Sequence, residues 1–341
     1  MQFFLLTNKF VEDILLLQKA GKKWEFSIDQ IPYTILYDQS KMTKMQDNSL
    51  LSALHREMIC MDFYEKEPVS LYLDNLEVLE DFVSERQQHI QLLKHPWLGK
   101  TLIINGEIQH IENYQTLYHE MLVHLPASFV PNIKNVLILG GGSLFAAYEV
   151  LKYPTVNRVV LCDYDRAVLG LMGRHYRHAV LVTQDQRFLH VEKDAQEFLN
   201  SCTDTFDLIV NDCFNIAHES NIARYSLYKA LADRCTDQGV CVDIIYRHIF
   251  DRPTTINTLS YLQKEGNLVL SLVVVPEYPG ILHMETIWGK SPYIAQSAKY
   301  SVNDVHCSMS EADDAMFNYF TPRNLAAYLY LPPYIRSMFN L

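Results

Sequence analysis

The residues that could do chemistry fall at the ends of apolar runs. Val136-Leu137-Ile138-Leu139 runs into Gly140-Gly141-Gly142-Ser143, and Val159-Val160-Leu161-Cys162 ends in Asp163. Phe188 to Val191 is followed by Asp194 and Ala195, and Phe206 to Val210 by Asn211-Asp212-Cys213-Phe214-Asn215. A glycine turn lets a ligand approach bare backbone, and N–H groups beyond it can meet polar or negative atoms. An acid at the end of the next strand, about twenty residues on, is suited to paired ribose hydroxyls. A carboxylate after a later strand can take a proton from a nucleophile. Aspartates also cap helices, but their repetition at successive strand ends beside a glycine loop points to a nucleoside site.

The elements that must position these groups follow from periodicity. Residues 136 to about 290 alternate apolar runs with helical stretches, which predicts a doubly wound, mostly parallel sheet. The strands are Val136–Leu139, Arg158–Cys162, Phe188–Val191, Phe206–Val210, Val240–Ile245, Leu268–Val275 and Leu282–Trp288, the last two forming an antiparallel edge hairpin. Ligands bind beyond the carboxyl ends of such strands. Upstream, Ile90–Leu93 and Lys100–Ile104 precede the turn Asn105-Gly106 and the run Glu107–Ile111, which predicts a small antiparallel sheet. A helix through Tyr118–Leu125 is expected to stop at Pro126. Asp74 to about Arg86 reads as a helix with Leu76, Leu79 and Val83 on one face. Phe10–Leu17 reads as helix, and Trp24–Ile28 and Tyr33–Tyr37 as strands of a module that either caps the main domain or builds a dimer contact.

Composition narrows the class. The chain has 341 residues, 49% of them hydrophobic, enough for a full core with one large and one smaller domain. Its formal net charge of -11 argues against a nucleic-acid partner. The seven cysteines are scattered, with no C-x-x-C pair, and read as reduced thiols. A membrane span and a signal peptide are not expected, so the expected location is cytoplasmic. His175, His178 and His190 lack ligand spacing, and no metal is expected. The loop also lacks the third spaced glycine of a dinucleotide fingerprint, which sets a nicotinamide enzyme aside.

These features resemble the spermidine synthase, or polyamine aminopropyltransferase, family of the class I S-adenosylmethionine-dependent transferase fold. The likeness covers roughly residue 84 to the end. It is carried by Leu102–Gln109, Tyr118-His119-Glu120-Met121, Val136–Gly142, Phe206–Cys213, Glu219-Ser220, Tyr278-Pro279-Gly280-Ile281 and the segment from Tyr319 to Tyr334. The resemblance implies an N-terminal extension over 1–83, a small β-hairpin domain with a gating helix over 84–131, and a Rossmann-like donor-binding domain over 132–341. It also implies a homodimer, a small-molecule acceptor, and release of methylthioadenosine from an adenosyl sulfonium donor. By position, Gln109 and Asp163 would hold the ribose side of that donor, with Asp194 and Ala195 at the adenine. Gly140, Gly141, Gly142 and Ser143 would face the nucleoside and its sulfonium tail, and His119 would touch the donor. Asp212 would act as base and Tyr118 as positioning hydroxyl, with Asn215, Glu219 and Tyr278 at the acceptor.

Two departures bear on the substrates. Ser143-Leu144-Phe145 stands where the family loop continues Asp-Gly-Gly, and the lost aspartate is the one that faces the ammonium of the decarboxylated donor. Electrostatics then favours intact S-adenosylmethionine and transfer of a 3-amino-3-carboxypropyl group. Asn215 replaces a second aspartate, which removes a charge suited to a diamine and favours a non-standard acceptor, such as a natural-product or peptide-nucleotide intermediate. Arg224, His218, Arg247 and His248 could receive a phosphate or carboxylate on such an acceptor. The alternatives are a true spermidine synthase, a methyltransferase, and a non-catalytic nucleoside-binding relative.

Overall fold

The structure is a computed structural model describing residues 25–28, 31–34, 75–213, 221–245, 252–278, 282–297, 317–339 and 341. The described residues fall into two compact units, Met1–Phe82 with His89–Gln109, and Val83–Gln88 with His110–Leu341.

The first unit is built on two small sheets. Strands β1 (Glu25–Ile28) and β2 (Ile31–Thr34) pair antiparallel, so the second of these expected strands begins earlier than its apolar run. A four-stranded sheet follows the order β3 (Glu77–Val83), β4 (His89–His95), β5 (Gly99–Ile104), β6 (Glu107–Ile111). The β5–β6 turn is the Asn105-Gly106 pair, both left-handed at φ 53° and 85°, the geometry that a two-residue hairpin demands. The helix expected from Asp74 to Arg86 is instead strand β3. Leu76, Val78, Leu79, Phe82 and Val83 are spaced ambiguously, and β-branched and aromatic residues beside an available neighbour, β4, favour the extended form.

The second unit opens with α1 (Gln115–Ala127) and then alternates β7 (Asn135–Gly140), α2 (Phe145–Leu151), β8 (Arg158–Cys162), α3 (Arg166–His175), α4 (Arg177–Gln184), β9 (Phe188–Val191), α5 (Ala195–Ser201), β10 (Phe206–Asp212) and α6 (Asn221–Arg234). It continues with β11 (Cys235–Ile245), α7 (Arg252–Glu265), β12 (Asn267–Val274), β13 (Leu282–Gly289), α8 (Pro292–Ser297), α9 (Leu325–Tyr328) and α10 (Pro333–Phe339). Helix α1 runs one residue past Pro126. A proline in the last turn forfeits a single helical bond, and Ser128 closes the end through N–H bonds back into that turn.

The sheet order is β12-β13-β11-β10-β7-β8-β9. Strands β9, β8, β7, β10 and β11 are parallel in sequence, while β13 runs antiparallel to both β11 and β12. The chain is therefore a mixed α/β protein with a mostly parallel central sheet, as the alternation predicts. Val136, Leu137, Ile138 and Leu139 of the central strand are all fully buried, each worth about 1.5–3 kcal/mol of hydrophobic stabilisation. The order reverses at β7: β8 and β9 lie on one side, β10 and β11 on the other. That reversal opens a crevice beyond the carboxyl ends of β7 and β10.

Among the described residues no helix is long and apolar enough to cross a membrane. Cys162, Cys202, Cys213, Cys235 and Cys241 are free thiols, as expected for a reduced protein. Cys60 and Cys307 lie outside the described residues.

Candidate active site

The site forms at the reversal point because the register of β7 and β10 sets Gly140 directly beside Asp212. Both Gly140 and Gly141 adopt φ of 72°. A Cβ at Gly140 would sit 2.5 Å from the Asp212 carbonyl oxygen, and one at Gly142 would sit 2.9 Å from Asp163 Oδ2. Glycine is thus required twice, once for strand contact and once so that the Asp163 carboxylate can close on the turn. After the glycines the chain departs from that economy. Leu144 is also left-handed, at φ 64°, and fully buried, an uncommon state for a side chain of its size. Behind it Phe145 stacks on the His178 ring at 3.7 Å and packs against His110 at 4.5 Å and His119 at 5.1 Å.

The aspartates at the strand ends divide their work. Asp165, not Asp163, caps α3 by accepting from Ala167 N at 3.0 Å. Asp163 is thereby left facing the glycine turn, its Oδ1 accepting from Asp165 N at 2.9 Å. Burial raises its pKa despite that bond and one from Gly142 N–H. Asp194 is a helix cap: its Oδ1 accepts from Gln196 N and Glu197 N at 2.9 and 3.0 Å. Ala195 is the first residue of α5 and partly buried.

Asp212 is the chemically poised member. Its Oδ1 accepts a 2.6 Å hydrogen bond from the Tyr118 hydroxyl, and its Oδ2 points at Gly141, where an added Cβ would lie 3.4 Å away. Burial pushes its pKa up to about 7; the charges of Asp163 and Asp243 add to the rise, and the Tyr118 bond opposes it. A carboxyl so held is a competent base near neutrality. Asp243, one strand over, is fully hydrogen-bonded by Tyr228 Oη at 2.5 Å, Asn211 Nδ2 at 3.1 Å and Ile244 N at 2.9 Å.

Helix α1 carries Tyr118 to Asp212 and is fixed at several points. Glu120 accepts the backbone N–H groups of Asn318, Tyr319 and Phe320 at 2.7–2.8 Å. His124 joins α1 to α2, its Nε2 2.8 Å from Glu149 Oε2 and its Nδ1 2.7 Å from Tyr153 Oη. Burial lowers the His124 pKa, whereas Lys152, 2.5 Å from Glu149, shares the charge of that carboxylate. The arrangement is therefore a neutral imidazole donating to an ion pair. His119 is buried beside Tyr118, ring centroids 5.0 Å apart, with Nδ1 2.9 Å from Gln115 O; burial drops its pKa to about 4.

Tyr118, Asp212, Asp163 and Gly140–Gly142 thus converge on one crevice. Ser143 is buried at the end of the turn, its carbonyl 3.0 Å from His178 Nε2. His190 Nε2 likewise lies 3.2 Å from the Asp163 carbonyl. His178 and His190 thus brace the turns at Ser143 and Asp163. Gln109 sits in the other unit, half-buried, its amide 3.4 Å from Glu107 O. Asn215, Glu219, His218, Arg247 and His248 lie outside the described residues. Arg224 lies on α6, its charge acting on Asp243 and Tyr228. Tyr278 is buried in the turn after β12, its N–H bonded to Val275 O at 2.9 Å. In the same turn stands a carboxylate that sequence reasoning passed over, Glu277. Nothing in its local pattern marks it.

Residues 115–298 match the spermine/spermidine synthase domain. The chain belongs to the spermine/spermidine synthase family. Among its relatives is a polyamine aminopropyltransferase of Thermoanaerobacter sp. strain X514, 29% identical over 276 residues that cover 78% of this chain and 94% of the relative. Putrescine N-methyltransferase 2 of Nicotiana tabacum is 26% identical over 257 residues, covering 74% of this chain and 72% of that protein. The fold matches spermidine synthase from Thermotoga maritima with a TM-score of 0.69 at 22% identity, over 82% of this chain and 92% of that one. Family membership makes the chain a transferase, as the resemblance implied. The polyamine aminopropyltransferase match extends over nearly the whole relative, and these matches give no support to the non-standard acceptor inferred from Ser143 and Asn215.

Proposed function

We propose that the protein is a polyamine aminopropyltransferase that alkylates an amine with the 3-aminopropyl group of decarboxylated S-adenosylmethionine. The observation that carries the reading is the Tyr118–Asp212 hydrogen bond at 2.6 Å, beside a glycine turn at the reversal of the sheet. The attacking nitrogen gives its lone pair to the carbon next to the sulfonium. The carbon–sulfur bond breaks, its electrons stay on sulfur as methylthioadenosine leaves, and Asp212 takes the proton lost by nitrogen. Tyr118 orients the Asp212 carboxylate. Asp163 accepts hydrogen bonds from the ribose hydroxyls, Asp194 takes the adenine amino group beside Ala195, and Gly140–Gly142 admit the donor to the backbone. His119 and Ser143 flank the donor, and Tyr278 faces the acceptor.

The choice of donor rests on charge. Asp163, Asp212 and Glu277 make this crevice rich in carboxylates whose pKa values are raised, which favours a cationic aminopropyl tail over one that also carries a carboxylate. Helix α2 has only seven residues and no side-chain cap, a weak replacement for a carboxylate-binding group. This outweighs the argument from Ser143 for the intact donor. A second reading, N-methylation of an amine by intact S-adenosylmethionine, is favoured by the likeness to putrescine N-methyltransferase.

Incubating the purified protein with putrescine and each donor, then weighing the amine product by mass spectrometry, separates the readings. An aminopropyl adduct from the decarboxylated donor is expected. A methyl adduct from the intact donor would establish the second reading, and an aminocarboxypropyl adduct would restore the argument from Ser143.

A further inference from the structure

Glu277 occupies the turn Val275–Tyr278 that follows β12 and is 3% exposed. Its Oε1 accepts from the backbone N–H of Ile111 at 3.2 Å. Its Oε2 is buried and has no hydrogen-bond partner among the described residues. An orphaned buried acceptor opposes folding unless a donor reaches it. The group is also tied electrostatically to the base: burial pushes its pKa up to about 8, and the Asp212 charge contributes to the rise. The turn also lies at the carboxyl end of β12, which runs in the same direction as β10 and β7, so Glu277 stands at the sheet edge that carries Asp212, and a buried carboxylate there is relieved by a cation placed beside it.

We propose that Glu277 is a specificity-determining residue whose Oε2 receives a hydrogen from an ammonium group of the acceptor, so that the site selects amines with a second cationic nitrogen besides the one that attacks. Asp212 serves the attacking nitrogen and Glu277 the distal one. The charge that Asn215 lacks is supplied from the β12–β13 connection instead. The assignment rests on the amine-alkylating reading above.

The test is calorimetric binding of putrescine and of butylamine, its single-nitrogen counterpart, to the full-length protein saturated with methylthioadenosine. Wild type should bind putrescine about tenfold or more tighter than butylamine, as an additional charge-assisted bond requires. Glu277→Gln keeps an oxygen for the Ile111 N–H and removes the charge, so it should abolish that preference while leaving butylamine affinity within about threefold. Glu277→Asp, which keeps the charge on a shorter arm, should recover part of the preference, and thermal unfolding of each variant checks that the fold is intact. Equal weakening of both amines, a preference that survives Glu277→Gln, or no binding of putrescine to wild type would each overturn the proposal. A preference that depends on Glu277 without any alkylated product would keep this site and sink the reaction assigned above. Product formation without that dependence would do the reverse.

Discussion

Burial makes Asp212 basic enough to take a proton near neutrality, while the Tyr118 hydroxyl pulls in the opposite direction by stabilising the charged carboxylate. With the Asp212 pKa pushed up to about 7, kcat/KM should rise as pH passes through about 7, because the protonated carboxyl is no base. Tyr118→Phe removes a bond that favours the charged form, so that limb should move to higher pH. Asp212→Asn should lower kcat by about 10²–10⁴-fold with little change in donor affinity. Rate profiles between pH 6 and 9 check both, and a limb left in place by Tyr118→Phe would remove the tyrosine from this role. At this scale the sequence exposes residue types but not their division of labour. Asp163 and Asp165 stand two positions apart, and only the backbone path makes Asp165 a helix cap and leaves Asp163 facing the glycine turn.

Helix α1 is legible as a helix in the sequence, but the reason it stays where Tyr118 needs it is not. Its anchor is Glu120, whose carboxylate collects three consecutive backbone N–H groups about 200 residues away in sequence. Glu120→Ala should destabilise the fold by about 3 kcal/mol or more, since hydrogen bonds to a charged group contribute about 1.5–3 kcal/mol each and the freed N–H groups are left near a buried helix. The measurement is a urea midpoint, with limited proteolysis around residues 317–320. A midpoint unchanged from wild type would mean the segment is held by other contacts. The opposite lesson comes from β3, read as a helix because five apolar residues fit either period. Its strand form is decided by β4 alongside it, a neighbour that no local window contains.

For the whole molecule, the buried acids set the response to pH. Asp243, Asp212 and Glu277 have folded pKa values pushed up to about 6, 7 and 8. The folded state therefore holds protons that the unfolded chain releases above about pH 4, and the stability they contribute is lost as pH rises through about 6 to 8. The buried Glu149 is lowered, and its contribution is lost in acid instead. Stability should thus peak on the acid side of neutrality. Urea midpoints at pH 5, 6, 7 and 8 should fall across that series, and the Asp212→Asn, Glu277→Gln double variant should flatten the fall. A midpoint that climbs towards pH 8 would contradict the protonation states assigned to the crevice. The sequence by itself determined the alternation of strand and helix, the glycine turn, the Asn105-Gly106 hairpin and the strand-end acids, because these depend on local periodicity and on residues with special backbone freedom. Only the tertiary structure decided that Gly140 abuts Asp212, that Tyr118 reaches Asp212, and that Glu277 is buried with one oxygen unpartnered. Those facts depend on strand order and on desolvation, which arise when distant segments exclude water together.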